Sequence, residues 1–133
     1  MPHSEALAAA AHLHVLLRRL VRNLLENARR YGMKGTAAQA DGPAAELHLA
    51  RIRDTRGDER IRLVVQDHGP GVPAALRERI FEPFFRLPGA SEREGGVGLG
   101  LSLVRTIAQR HGGSVRCEER DGGGARFVIE LPA

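Results

Sequence analysis

The sequence has 133 residues, with 20 Lys and Arg against 16 Asp and Glu, a formal net charge of +4. That length suits one domain with a real core, and 42% hydrophobic with 27% charged residues excludes a disordered or fibrous chain. A single cysteine, Cys117, excludes a disulfide framework and a cysteine-rich zinc module. The uncharged runs are too short for a spanning helix and no signal-peptide pattern appears, so a cytoplasmic protein is expected.

Residues 1–12 read as an Ala-rich leader or boundary segment, and 13–133 as the domain. From Leu13, the residues Leu16, Leu17, Leu20, Val21, Leu24, Leu25 and Ala28 recur at steps of three and four. They predict an amphipathic helix ending near Gly32. After a loop at 33–45, strands are expected at about Glu46–Arg53 and Ile61–Asp67, joined by a turn over Asp54–Glu59. A Gly/Pro cluster at Asp67–Pro73 leads to a short helix through Ile80, then a Pro/Gly-rich loop from Pro83 to Gly98. A second helix buries Leu101, Val104, Ile107 and Ala108 and stops at His111-Gly112-Gly113. Strands at Ser114–Glu119 and Ala125–Leu131 close the chain, with Ala125, Phe127, Ile129 and Leu131 alternating inward. The predicted class is α+β: a two-layer α/β sandwich, its mixed, mostly antiparallel sheet packed against about three helices.

Of the 20 basic residues 19 are Arg, scattered among nearly as many acids without a basic block, a pattern that does not favour nucleic acid. The six histidines are dispersed along the chain and do not suggest a transition-metal site. Chemistry concentrates elsewhere. Asn23, Asn27 and Tyr31 share one helix face at steps of four, with Arg30 beside them. Two asparagines one turn apart lower helix propensity, so they are either a solvated polar pair or neutral oxygen ligands suited to Mg²⁺. Asp67-His68-Gly69-Pro70-Gly71-Val72 follows a strand. It is either an ordinary turn or a carboxylate set to accept from an exocyclic amine, with glycines that admit a flat ring. Gly95 to Leu101 feeds glycines into a helix N-terminus, where backbone N–H groups can cradle phosphate. A dinucleotide fingerprint is rejected because a loop rather than a buried strand precedes it, and no Walker A sequence occurs.

In order, Asn23 to Tyr31, Asp67 to Gly71, Ile80-Phe81-Glu82-Pro83-Phe84-Phe85-Arg86 and Gly96-Val97-Gly98-Leu99-Gly100-Leu101 resemble the N, G1, F and G2 boxes. These mark the catalytic and ATP-binding domain of bacterial sensor histidine kinases, within the Bergerat-fold ATPases. Gly124-Ala125-Arg126-Phe127 through Pro132 is similar to that domain's last strand. The resemblance implies that Asn27 is the Mg²⁺ ligand, that Asn23 is its partner and that Arg30 contacts phosphate. By the same resemblance Tyr31 lies against the adenine, Asp67 receives the adenine amino group, and Gly69, Gly71 and Val72 shape its pocket. Phe81, Phe84 and Phe85 would anchor an ATP lid at 86–95, with Phe81 also suited to plain core. Gly96, Val97, Gly98, Leu99, Gly100 and Leu101 would form its hinge and the phosphate cradle, and Lys34 and Arg93 are further phosphate contacts or solvated loop charges.

Relatives of the gyrase and Hsp90 type carry a Glu where Asn23 stands, and a neutral amide cannot act as a general base. The resemblance therefore implies that the γ-phosphoryl group is held for transfer rather than hydrolysed. Its acceptor is a histidine on the dimerisation and phosphoacceptor domain of the same kinase, which passes it to a response regulator. None of this chain's own histidines fits that role. The resemblance also implies a cytoplasmic domain without direct membrane contact, in a parent that can be anchored in the inner membrane. The sequence departs from the family where Ala125 replaces a common small hydroxyl residue, and where residues 1–11 lack the usual first strand. A free-standing anti-sigma-type serine kinase, which shares the boxes, and a non-catalytic nucleotide-binding interaction module are the alternative readings.

Overall fold

A computed structural model describes residues 15–28, 45–85 and 100–133. Residues 15–28 form helix α1, which buries Leu20, Leu24 and Ala28. Steps of four stack these side chains along one stripe, as the periodicity predicted. Strands β1 (Ala45–Arg53) and β2 (Glu59–Asp67) follow. Helix α2 spans Gly100–Arg110, and strands β3 (Ser114–Glu119) and β4 (Ala125–Pro132) complete the order. The four strands lie in the order β1-β2-β4-β3, and each of the three pairings is antiparallel. The expected leader at 1–12 lies outside the described residues.

The β1–β2 turn is closed by the Asp54 side chain together with the Arg53 Nη1 bond to Gly57 O at 3.0 Å. Asp54 Oδ1 accepts the backbone N–H groups of Arg56 and Asp58, both at 2.9 Å, the local closure that suits aspartate to turns. Where a short helix was predicted through Ile80, the structure has two 3-10 turns, Ala74–Leu76 and Arg79–Phe81. Pro73 caps the first and Pro83 follows the second. The turns close by i→i+3 hydrogen bonds, Leu76 N–H donating to Pro73 O at 2.8 Å and Glu82 N–H to Arg79 O at 2.9 Å. Ile80 and Phe81 fix the second turn by entering the core. Helix α2 stops where the glycines stand, with Gly112 N–H donating to Gln109 O at 3.0 Å and Gly113 N–H to Ala108 O at 2.9 Å.

One face of the sheet meets the helices. Val65 of β2, Cys117 of β3, and Ala125, Phe127 and Ile129 of β4 pack with Leu20 and Leu24 of α1. Val104, Ile107 and Ala108 of α2 and the Ile80–Phe81 turn join the same cluster. Phe81 and Phe127 meet edge to face, with ring centroids 6.2 Å apart and planes at 89°. The outer face holds a second, small buried spot: paired Val64 and Val128 are 5% and 0% exposed. Around them Arg62 Nη2 and Arg116 Nη1 both donate to Glu130 Oε1, at 2.9 and 3.1 Å.

Candidate functional site

Asp67 closes β2, and among the described residues it is the one buried polar or charged side chain, 4% exposed. A carboxylate taken out of water needs donors. It has two, both backbone: the N–H of Gly69 at 2.9 Å and the N–H of Ala125 at 3.1 Å. Both fall on Oδ1. Oδ2 accepts none from the described residues, while Oδ1 is held from two sides.

The two donors come from segments pressed together without side chains between them. Gly124, at φ +108, packs so closely that a Cβ there would lie 2.0 Å from the carbonyl oxygen of Asp67. Gly71, at φ +77, faces back, and its Cβ would lie 3.2 Å from the carbonyl oxygen of Gly124. Only glycine tolerates both the left-handed backbone and that approach. The Asp67–Gly71 turn and the β3–β4 turn are therefore one unit, and the predicted Asp67, Gly69 and Gly71 belong to it together.

Gly124 and the Ala125 N–H were not among the predicted site residues. The available signal was the run Gly122-Gly123-Gly124, more glycine than a hairpin turn requires. Arg77 was also missed. Its Nε–H donates to the carbonyl of Val72 at 3.1 Å, fixing the far end of the turn, while the Val72 side chain packs against the core. Cys117 lies in the core near this unit. Burial pushes its thiol up to about 12, with Arg77 pulling down and Asp67 pushing up, so it stays a protonated packing group.

The predicted F box divides. Phe81 is core at 2% exposed, and Phe85 is half-buried with the Arg79 guanidinium 5.0 Å from its ring centroid. Phe84 is 67% exposed at φ 66. A non-glycine residue in that region stores on the order of 1–3 kcal/mol of strain, so the chain holds this ring outward against its own preference. Asn23 and Asn27 are half-buried beside the Leu20–Leu24–Ala28 stripe. That stripe packs in the same cluster as Val65, two residues before Asp67 on β2, and Ala125, whose N–H donates to Asp67. Gly100 opens α2 with open space where a Cβ would point, and Leu101 is packed against the core. Arg30, Tyr31, Lys34, Arg93, Gly96, Val97, Gly98 and Leu99 lie outside the described residues. No helix among the described residues is long and apolar enough to cross a membrane.

A family profile described as histidine kinase-, DNA gyrase B-, and HSP90-like ATPase matches residues 13–133. The chain is 42% identical over 116 residues to the sensor histidine kinase GtrS of Pseudomonas aeruginosa, covering 87% of this chain and 21% of that protein. It is 41% identical over 118 residues to the sensor protein RstB of Escherichia coli, covering 88% of this chain and 24% of the relative. The chain thus spans about a quarter or less of the length of these relatives. Among solved structures, the mycobacterial sensor histidine kinase MprB superposes with a TM-score of 0.65 at 29% identity. That match covers 89% of this chain and 70% of the other. Full-length ShkA in complex with AMPPNP matches with a TM-score of 0.62 at 32% identity, over 88% of this chain and 21% of that one.

Proposed function

The chain belongs to the histidine kinase-, DNA gyrase B- and HSP90-like ATPase family, and on that premise we propose that it is the ATP-binding and catalytic domain of a sensor histidine kinase. The domain would comprise residues 13–133. The observation that carries the reading is Asp67, a buried carboxylate with one oxygen held by two backbone donors and the other accepting from none of the described residues. That is the complement of an exocyclic adenine amine flanked by glycines that let a flat base approach.

Asn27 and Asn23 fit a hard cation, being neutral amide oxygens one turn apart on a half-buried flank of α1. They would hold Mg²⁺, which when bound neutralises phosphate charge. Arg30 would contact phosphate, Tyr31 would cover the adenine, and the Gly96–Leu101 segment would cradle the phosphates with its backbone N–H groups. Phe84 and Phe85 would anchor the lid over the site. Because an amide at position 23 cannot take a proton from water, this chain's residues bind, orient and exclude water without activating it. Transfer is then achieved by positioning and electrostatics. The acceptor would be a histidine on the dimerisation and phosphoacceptor domain of the same kinase, with a response regulator served through that domain in the cytoplasm.

Calorimetry with Mg·ATP tests the reading. Asp67→Asn and Asn27→Asp are each expected to weaken binding, and unchanged affinity in both variants would overturn it. The sensor kinases at 42% and 41% identity favour this reading over a free-standing anti-sigma-type serine kinase. Incubation with labelled ATP and candidate anti-sigma antagonists separates the two.

A further inference from the structure

His68 stands between Asp67 and Gly69, and its ring is gripped from two elements that are far apart in sequence. On one side, Nε2 lies 3.0 Å from Glu46 Oε1 of β1. On the other, Arg120 Nη2 lies 2.5 Å from Nδ1. A guanidinium can only donate, so Nδ1 is the lone-pair nitrogen and Nε2 carries the hydrogen that goes to Glu46. Glu46 is a dependable acceptor, because hydrogen bonds from Gln66, His68 and His48 lower its carboxyl to about 2 and keep it ionised. Among the described residues no group of His, Cys, Asp and Glu converges so as to hold a metal ion.

Arg120 also organises the turn that touches Asp67 from the other side. Its N–H donates to Gly124 O at 3.0 Å and its carbonyl accepts from Gly123 N–H at 2.9 Å. Its Nη1 donates to the Asp121 carbonyl. Its Nε–H is buried without a partner, which shows the guanidinium committed to Asp121 and His68 at the expense of its own third donor site. The same residue thus fixes Gly124, which packs on Asp67, and His68, which adjoins it.

We propose that His68, held between Glu46 and Arg120, is a positioning residue that sets the Asp67 carboxylate for the exocyclic amine of the nucleotide base. The inference rests on the reading of Asp67 given above. It makes adenine specificity depend on three side chains, none of which would touch the base.

The experiment measures the affinity of the 133-residue chain for ATP and for inosine triphosphate, which presents a carbonyl where ATP presents the amine. Thermal melts check the folding of each variant. His68→Leu is expected to weaken ATP about tenfold, a modest loss for misplacing a binding group, while inosine triphosphate affinity stays within about twofold. His68→Gln, whose amide can accept from Arg120 and donate to Glu46, is expected to restore ATP binding. Should His68→Leu not fold, Arg120→Met removes the grip from the other side and is expected to show the same selective loss. Equal losses for both nucleotides, or no loss for ATP, overturn the proposal. Asp67→Asn is the control: if it leaves the preference between the nucleotides unchanged, the Asp67 reading fails and takes this proposal with it. If it abolishes the preference while His68→Leu and Arg120→Met do not, only the positioning role falls.

Discussion

A carboxylate held through one oxygen by two backbone N–H groups has its second oxygen aimed by the fold itself, and at Asp67 this aim depends on glycine at position 124. Gly124→Ala is expected to destabilise the chain by about 2 kcal/mol or more, since a Cβ would clash with the Asp67 carbonyl in a backbone region reserved for glycine. A thermal melt lowered by several degrees checks it; an unchanged melt contradicts it. The Glu46 carboxyl carries a pH signature. Its folded value of about 2 lies below its ordinary 4.5, so its contribution is complete above pH 4.5 and is lost as the pH falls towards 2. A carbon-detected titration of Glu46 with a midpoint near 2 supports the contact set, and one near 4.5 contradicts it. Asp67 itself was legible in the sequence as an acid ending a strand before glycines. Of its two donors, Gly69 belonged to the same motif, but the Ala125 N–H was not legible, because it approaches from 58 residues away through strand pairing.

Periodicity located the elements at the next scale up. Alternation in Ala125-Phe127-Ile129 marked the inner face of β4, and steps of three and four marked α1 and α2. The 3-10 turns escaped because Pro73 and Pro83 leave a segment too short for period to decide. Val64 and Val128 escaped for a different reason. Val128 falls on the outward alternation of β4, and Arg62, Arg116 and Glu130 gather on the same face of the sheet around the pair. Burial raises the Glu130 carboxyl, but hydrogen bonds from Arg116 and Arg62 outweigh it and the net direction is down. Conversely, Leu47 and Leu49 alternate like core residues but remain 50% and 71% exposed on the edge strand β1. The inner face has a definite test. Phe127→Ala, which deletes the partner of Phe81 at 2% exposure, is expected to cost about 3–5 kcal/mol in chemical denaturation. A loss below about 1 kcal/mol contradicts the packing described.

For the whole molecule, the consequence is division of labour. The chain covers 21% and 24% of the lengths of GtrS and RstB, and under the proposal it supplies nucleotide but not acceptor. Alone with Mg·ATP it is expected to release phosphate no faster than a buffer blank, because Asn23 offers no base. With a dimerisation domain carrying an accessible phosphoacceptor histidine, it is expected to label that histidine with an acid-labile phosphate. Sustained hydrolysis by the isolated chain contradicts the role given to position 23.

Under the proposed function, Asp67 reads the base. Substituting Asn at this position keeps an oxygen for the Gly69 and Ala125 donors and turns the ligand-facing acceptor into a donor. The most direct measurement is a calorimetric comparison of ATP and inosine triphosphate binding to the wild-type chain and to Asp67→Asn. The account requires wild type to favour ATP and the variant to lose ATP by roughly 10- to 100-fold while holding inosine triphosphate, as expected for a charge-assisted hydrogen bond. A variant that binds both nucleotides as the wild type does would contradict it.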